Sequence, residues 1–315
     1  MTERIARFNE LTPSTLPFVE GRIEGHKERK NFSIVGPGVA EDSQQSVKIS
    51  KPHGYNLGAV SANPKNGSGL HSHTTAEVFL IYSGNWRFYW GADGANEIIL
   101  GKGDIISMPT NMFRGFENAG DEEGLIFVVL GNDDPGIITW VPNVLIKAKE
   151  TGLALLDDNS LIDLKENEIP PNRKLLEPIT NKTLQKFDNY RIDEIEKFIC
   201  RFKNQTNHEI NLNNGIKLIQ IIGSSFSNKN YNAIIDHDTG FNLSILKGKQ
   251  GLIEDLVFDK PTILFSQKGN WKVKIEENEF NINSKDTFSL PLNTKVSVSI
   301  DNNEDCFVCF IIFIP

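Results

Sequence analysis

The sequence is poor in cysteine, in basic charge and in long apolar stretches, and each shortage excludes something. Three cysteines in 315 residues cannot build a disulfide framework. No apolar run approaches the roughly 20 residues that a membrane-crossing helix needs. The N-terminal MTERIARFNELTP carries charge where a signal peptide needs an apolar stretch, so no export is expected. Lys and Arg total 33 against 41 Asp and Glu, a formal charge of -8. Such a surface repels phosphate backbones and argues against general nucleic-acid binding. Helical periodicity is also scarce. The sequence predicts a soluble, cytoplasmic protein with neither nucleic acid nor membrane as a partner.

What is present is β-forming. Hydrophobic residues make up 39% and charged residues 23%, enough for about two domains with real cores. Short runs rich in Val, Ile, Phe, Tyr and Trp alternate with Gly, Asn, Asp and Pro. EVFLIYSGNWRFYWG (77–91), GLIFVVLG (124–131) and NWKVKIEENEFNI (270–282) are examples. Evenly spaced strands of this kind predict an all-β sandwich or barrel. Pro170, Pro171 and Pro178 mark a linker between the halves. A short helix is predicted over 191–202. The expected division is a first domain at 1–150, a linker at 151–185 and a second domain at 186–315.

The halves repeat each other. HGYNLGAV (53–60) matches TGFNLSIL (239–246), YSGNWRFYW (82–90) matches QKGNWKVKI (267–275), and GDIISMPTNMF (103–113) matches KDTFSLPLNTK (285–295). Three matches in the same order at nearly constant offset argue for duplication of one β domain.

The densest polar cluster is GLHSHTTAEVFLIYSG (69–84). His71 and His73 are two apart, so on a strand both imidazoles face one way, and Glu77 follows after a bend. Two imidazoles and a carboxylate on one concave face can hold a divalent transition metal and leave positions open. On spacing alone the alternative stands beside it: a polar loop edge whose histidines satisfy local carbonyls.

His71, His73, Glu77 and Gly84 match the first motif of the cupin superfamily at every spacing, and Gly103, Pro109 and Asn118 match the second. The chain therefore resembles a bicupin, two tandem jelly-roll (double-stranded β-helix) barrels. Two positions depart from the motif. Asn111 stands where it has Gly, and Arg114 where it has the last metal-binding His. The resemblance implies a metal on His71, His73 and Glu77, with Fe(II) favoured and Mn, Ni or Zn as alternatives. In that reading Arg114 turns to an anionic small-molecule substrate as a catalytic residue, clear of Glu77. In the other reading Arg114 pairs with Glu77 and the pocket is a metal-free binder of a small anion or sugar. A dioxygenase-type oxidoreductase is expected ahead of a lyase or isomerase.

Along the repeat, the ligand positions of the second half fall on Leu256, Phe258, Thr262 and Val296, none of which can replace the residue it aligns with. That half is expected to support the first or to form a homo-oligomer interface. Trp86, Phe88 and Trp90 read as a core stripe, Cys306 and Cys309 as a buried strand rather than a zinc or redox pair. His53 and its repeat neighbour His237 read as turn residues, His26 as solvated, and GNDDPG (131–136) as a turn.

Overall fold

Alternation decides the strands. In Trp86–Trp90 the odd positions of WRFYW are buried while Arg87 and Tyr89 are half-buried, the period-two pattern of a strand with one face on a core. The computed structural model describes residues 2–42, 45–212, 215–226, 231–300 and 306–315. The first half is a sandwich of two antiparallel-dominated sheets. The larger runs in the order Ile199–Cys200, Ile105–Met108, Glu77–Ser83, Gly124–Gly131, Tyr55–Ala62, Arg29–Val35, Val47–Ile49. The facing sheet runs Thr139–Trp140, Gly67–Ser72, Arg114–Asn118, Trp86–Trp90, Asn96–Leu100. The second half repeats the plan with a seven-stranded and a four-stranded sheet.

The repeat holds at the level of single contacts. Gly36 and Gly223 both have positive φ, and at each an added Cβ would strike the side-chain oxygen of the equivalent asparagine, Asn56 or Asn242, at 2.0 Å. Those oxygens accept the amides of Gly38 and Ser224. Trp86 and Trp271 each donate their indole N–H to the carbonyl three residues earlier, Ser83 and Lys268. The non-glycine at the second-motif departure is also accounted for: Asn111 has φ 54°, and asparagine is one of the few side chains that tolerates that region.

The two large sheets pack against each other, so the halves share one core. Phe127 of the first half lies 4.2 Å from Phe265 of the second, ring centre to ring centre, within a cluster that also holds Val78, Leu80, Leu243 and Ile312. Two reciprocal bonds cross the boundary. His53 Nε2 meets Ser289 Oγ at 2.9 Å and His237 Nδ1 meets Ser107 Oγ at 2.6 Å. The two histidines read from sequence as turn residues thus join the halves, and the acidic turn is used locally, Asp133 accepting the amides of His53 and Gly54.

Pairing also crosses the expected domain limits. Ile5–Ala6 is an edge strand of the second half's large sheet, beside Thr287–Ser289, and Ile199–Cys200 pairs with Ile105 and Ile106 of the first. A helix at Pro142–Thr151, absent from the sequence expectation, packs Val144 and Ala148 on the first half. The predicted 191–202 helix is reduced to one turn, Ile192–Ile195, followed by a 3-10 turn and a strand. No described helix is long and apolar enough to cross a membrane.

Phe127→Ala should cost about 3–5 kcal/mol, and because its core spans both halves, denaturant unfolding should remain one transition by fluorescence and circular dichroism. Burial lowers the pKa of His53 and of His237. Their unfolded forms then bind more protons below about pH 6.5, so stability should fall as pH drops through that value. The His53→Gln/His237→Gln double variant should show a shallower loss in the same denaturation series.

Candidate metal centre in the first barrel

The two sheets of the first barrel bring the cluster together from opposite sides. His71 lies on Gly67–Ser72, with Arg114 directly across from it on the neighbouring strand. Their side chains therefore share the inner face. Glu77 opens the strand Glu77–Ser83 of the large sheet, between Met108 and Leu130. His73 follows just past the end of His71's strand, and the two imidazoles stack at 5.1 Å with 23° between planes. One ligand atom from each of His71, His73 and Glu77 lies within 4.8 Å of the others, and all three residues are buried.

The hydrogen bonds define what each group has left to offer. His71 Nδ1 lies 2.8 Å from the Gly69 carbonyl; donating there places the proton on Nδ1 and leaves the Nε2 lone pair available. Both ring nitrogens of His73 are buried without a partner. Glu77 Oε2 accepts from Arg114 Nε at 3.0 Å and lies 3.7 Å from His73 Nε2. Arg114 also donates through Nη1 to the Met112 carbonyl at 3.2 Å, while its Nη2 is buried without a partner.

The expectation that Arg114 stays clear of Glu77 is therefore not met. The guanidinium is 1% exposed, and a cation enclosed to that degree takes the nearest carboxylate as its counter-charge. The pair engages Oε2, the oxygen that also lies near His73 Nε2, and leaves Oε1 unbonded by Arg114.

Burial sets the protonation of the cluster. It pushes His71 down to about 3 and His73 well below the usual imidazole range, with the Arg114 charge adding to both. Both are neutral at pH 7, the state that ligates. Burial raises the Glu77 carboxyl, and the charge and hydrogen bond of Arg114 offset part of that rise.

A cavity of about 80 Å³ reaches this cluster, with His71, Glu77, Ser68, Trp140, Arg29 and Asn31 among its walls. Arg114 and His73 are not among them. The far wall of the cavity carries no sequence motif. Arg29 pairs with Glu20 at 2.7 Å, and Glu20 accepts Ser68 Oγ and the Gly69 amide. His26, expected in solvent, is half-buried against the Gly67 carbonyl. Arg29 was hidden in the run KERK, which reads as a solvated turn; the only available signal was Arg29, Asn31 and Ser33 alternating ahead of an apolar strand.

Of the other sequence candidates, Trp86, Phe88 and Trp90 are wholly buried in the core. Leu256, Phe258 and Val296 of the second half pack in its apolar cluster. Asn118 is structural, donating to the Ala62 and Glu122 carbonyls.

Residues 59–130, which hold the whole cluster, match the family model described as "Cupin domain". The first barrel is a cupin domain. No curated protein matches the chain by sequence. Solved cupin-fold structures match over nearly its whole length. Lactobacillus farciminis oxalate decarboxylase, in a formate complex, superposes with a TM-score of 0.57 at 14% identity, covering 98% of this chain and 85% of that one. The R92A mutant of Bacillus subtilis oxalate decarboxylase OxdC gives 0.56 at 14%, covering 99% and 77%. A Bacillus subtilis oxalate decarboxylase structure described for its Mn(II) centres gives 0.55 at 13%, again covering 99% and 77%. At such identity these matches show the two-barrel cupin fold.

The ion pair generates a test. Arg114→Leu leaves Glu77 buried without its counter-charge and should cost about 3–5 kcal/mol in metal-free protein. Adding Glu77→Gln in that background should recover part of the loss, a coupling that a double-mutant cycle in urea measures.

Proposed function

We propose that the first cupin barrel is the site of a divalent-metal enzyme acting on a small organic anion. The observation that carries this is His73, whose two ring nitrogens are buried and unpartnered beside His71 and Glu77. Leaving a buried polar atom unpaired costs about 1–3 kcal/mol, and a cation on one ring nitrogen of His73 would remove that penalty at that nitrogen. His71 Nε2, a ring nitrogen of His73 and a Glu77 carboxylate oxygen would make a 2-His-1-carboxylate set that suits Fe(II), as expected from the sequence, or Mn(II). When bound, the ion supplies Lewis-acid polarisation of a substrate oxygen and, if redox-active, a path for electrons.

The protein's own groups do the rest. Burial holds both imidazoles neutral, and Gly69 fixes the tautomer of His71. Burial raises the Glu77 carboxyl and Arg114 works against that rise, so the substrate role expected of Arg114 becomes here chiefly a positioning role. The apolar shell of Val60, Val128 and Leu130 limits water. One probe sphere for a water takes about 10–15 Å³, so the cavity suits a compound of few heavy atoms.

Charge supports an anionic substrate. Arg114 and Glu77 together are neutral, so an added dication leaves two positive charges uncompensated in a low-dielectric site. Mn(II) should accordingly bind more tightly when a dicarboxylate such as malonate is present. The same neutral pair favours the second reading, a metal-free anion binder, since it is complete without an ion.

Elemental analysis of protein purified without chelator or affinity metal separates the two. A stoichiometric transition metal, lost in His73→Ala with the fold kept, is the expected result. No metal, and none after reloading with Fe(II), Mn(II) or Zn(II), would leave the binder. Dioxygenase chemistry and the lyase chemistry named for the fold neighbours are then distinguished by oxygen uptake during turnover.

A further inference from the structure

We infer that Arg29 is the carboxylate anchor of this pocket, so the ligand is a short carboxylic acid held by that end while its other oxygen function faces His71 and Glu77. The inference rests on the proposed site and adds the far end of its ligand.

Arg29 is 3% exposed and opens the strand Arg29–Val35. Its Nη1 is committed, to Glu20 Oε1 at 2.7 Å and to the Gly67 carbonyl at 2.9 Å. The Phe18 ring covers one face of the guanidinium at 4.8 Å. What is left is Nε and Nη2, both buried and both without a partner. These two nitrogens form the side-on edge of the fork, the edge that takes the two oxygens of a carboxylate in parallel hydrogen bonds. A buried cation with one nitrogen engaged and its Nε/Nη2 edge bare, on a residue that lines the cavity, is built for a ligand.

The surroundings agree. Asn31, two residues along and in the same wall, has a buried side-chain oxygen without a partner, which can accept from a hydroxyl of the same ligand. Glu20 balances the charge of the guanidinium and leaves the hydrogen bonds of the bare edge unmet. It engages Nη1 and is occupied further by Ser68 Oγ at 2.9 Å and the Gly69 amide at 2.7 Å. Ser68 Oγ in turn lies 3.3 Å from His71 Nδ1, so one hydrogen-bonded chain links the anchor to the first of the three candidate ligands. Arg114, by contrast, gives Nε to Glu77 and Nη1 to Met112, keeps only Nη2 free, and is not in the cavity wall.

The test is calorimetric titration of malonate into the full-length protein, both stripped by chelator and loaded with Mn(II). Arg29→Lys keeps the charge that Glu20 needs and loses the fork. It should weaken malonate about tenfold or more while Mn(II) content and the melting curve stay as in the wild type. Asn31→Asp offers the bare edge an internal carboxylate and should also abolish malonate binding, which keeps the idea testable if Arg29→Lys folds poorly. Malonate binding unchanged in either folded variant overturns the anchor, as does a wild type that binds no malonate in either state. A wild type that retains no metal yet binds malonate through Arg29 upholds the anchor and removes the metal enzyme.

Discussion

The first barrel is organised around one buried ion pair, Arg114 with Glu77. Both groups are enclosed, and neither could remain charged there alone. Their bond decides which oxygen of Glu77 is left over and balances the Arg114 charge, and its positive end adds to the burial that holds the neighbouring imidazoles neutral. The cavity between His71 and Arg29 takes its character from that balance. Arg114 has two of its three nitrogens bonded internally, and the bare two-nitrogen edge on a residue of the pocket wall belongs to Arg29.

The same scaffold without polar ligands makes the second barrel. Glycine hinges, asparagine brackets and the tryptophan tucked under its own turn recur at equivalent places, whereas three of the ligand positions hold Leu256, Phe258 and Val296, which complete an apolar core, and Thr262 at the other donates to the Lys260 carbonyl. The duplicated half is energetically joined to the first. Phe127 and Phe265 sit in a common cluster, the N-terminal strand adds to the far sheet, and the His53–Ser289 and His237–Ser107 bonds tie the halves reciprocally. Rigidity of the strand Glu77–Ser83, which carries the candidate ligand Glu77, thus depends on residues nearly two hundred positions away.

Much of this was legible in the sequence because it is written in local patterns. Period-two alternation gave the strands, and ordered repeats at a steady offset announced the second barrel. The spacing of His71, His73 and Glu77 showed which side chains would meet. What was not legible depends on long-range packing. The helix at Pro142–Thr151 has few buried positions and a weak apolar stripe, and the 191–202 segment exchanges helix for a strand pairing with Ile105 and Ile106. Arg29 looked like one more surface charge; only the fold shows that Phe18, Glu20 and Gly67 close around it. Whether Arg114 would reach Glu77 depended on side-chain direction across two sheets, which spacing does not encode.

The central claim is that His71, His73 and Glu77 bind a divalent ion although an arginine holds the fourth position. Anomalous diffraction from crystals of the Mn(II)-loaded protein tests it most directly. The account predicts a single strong peak in the first barrel, about 2.0–2.3 Å from a nitrogen of each histidine and from one Glu77 oxygen, with Arg114 Nε still on the other. A barrel with no peak, or a peak reached only after Arg114 has left Glu77, would contradict it.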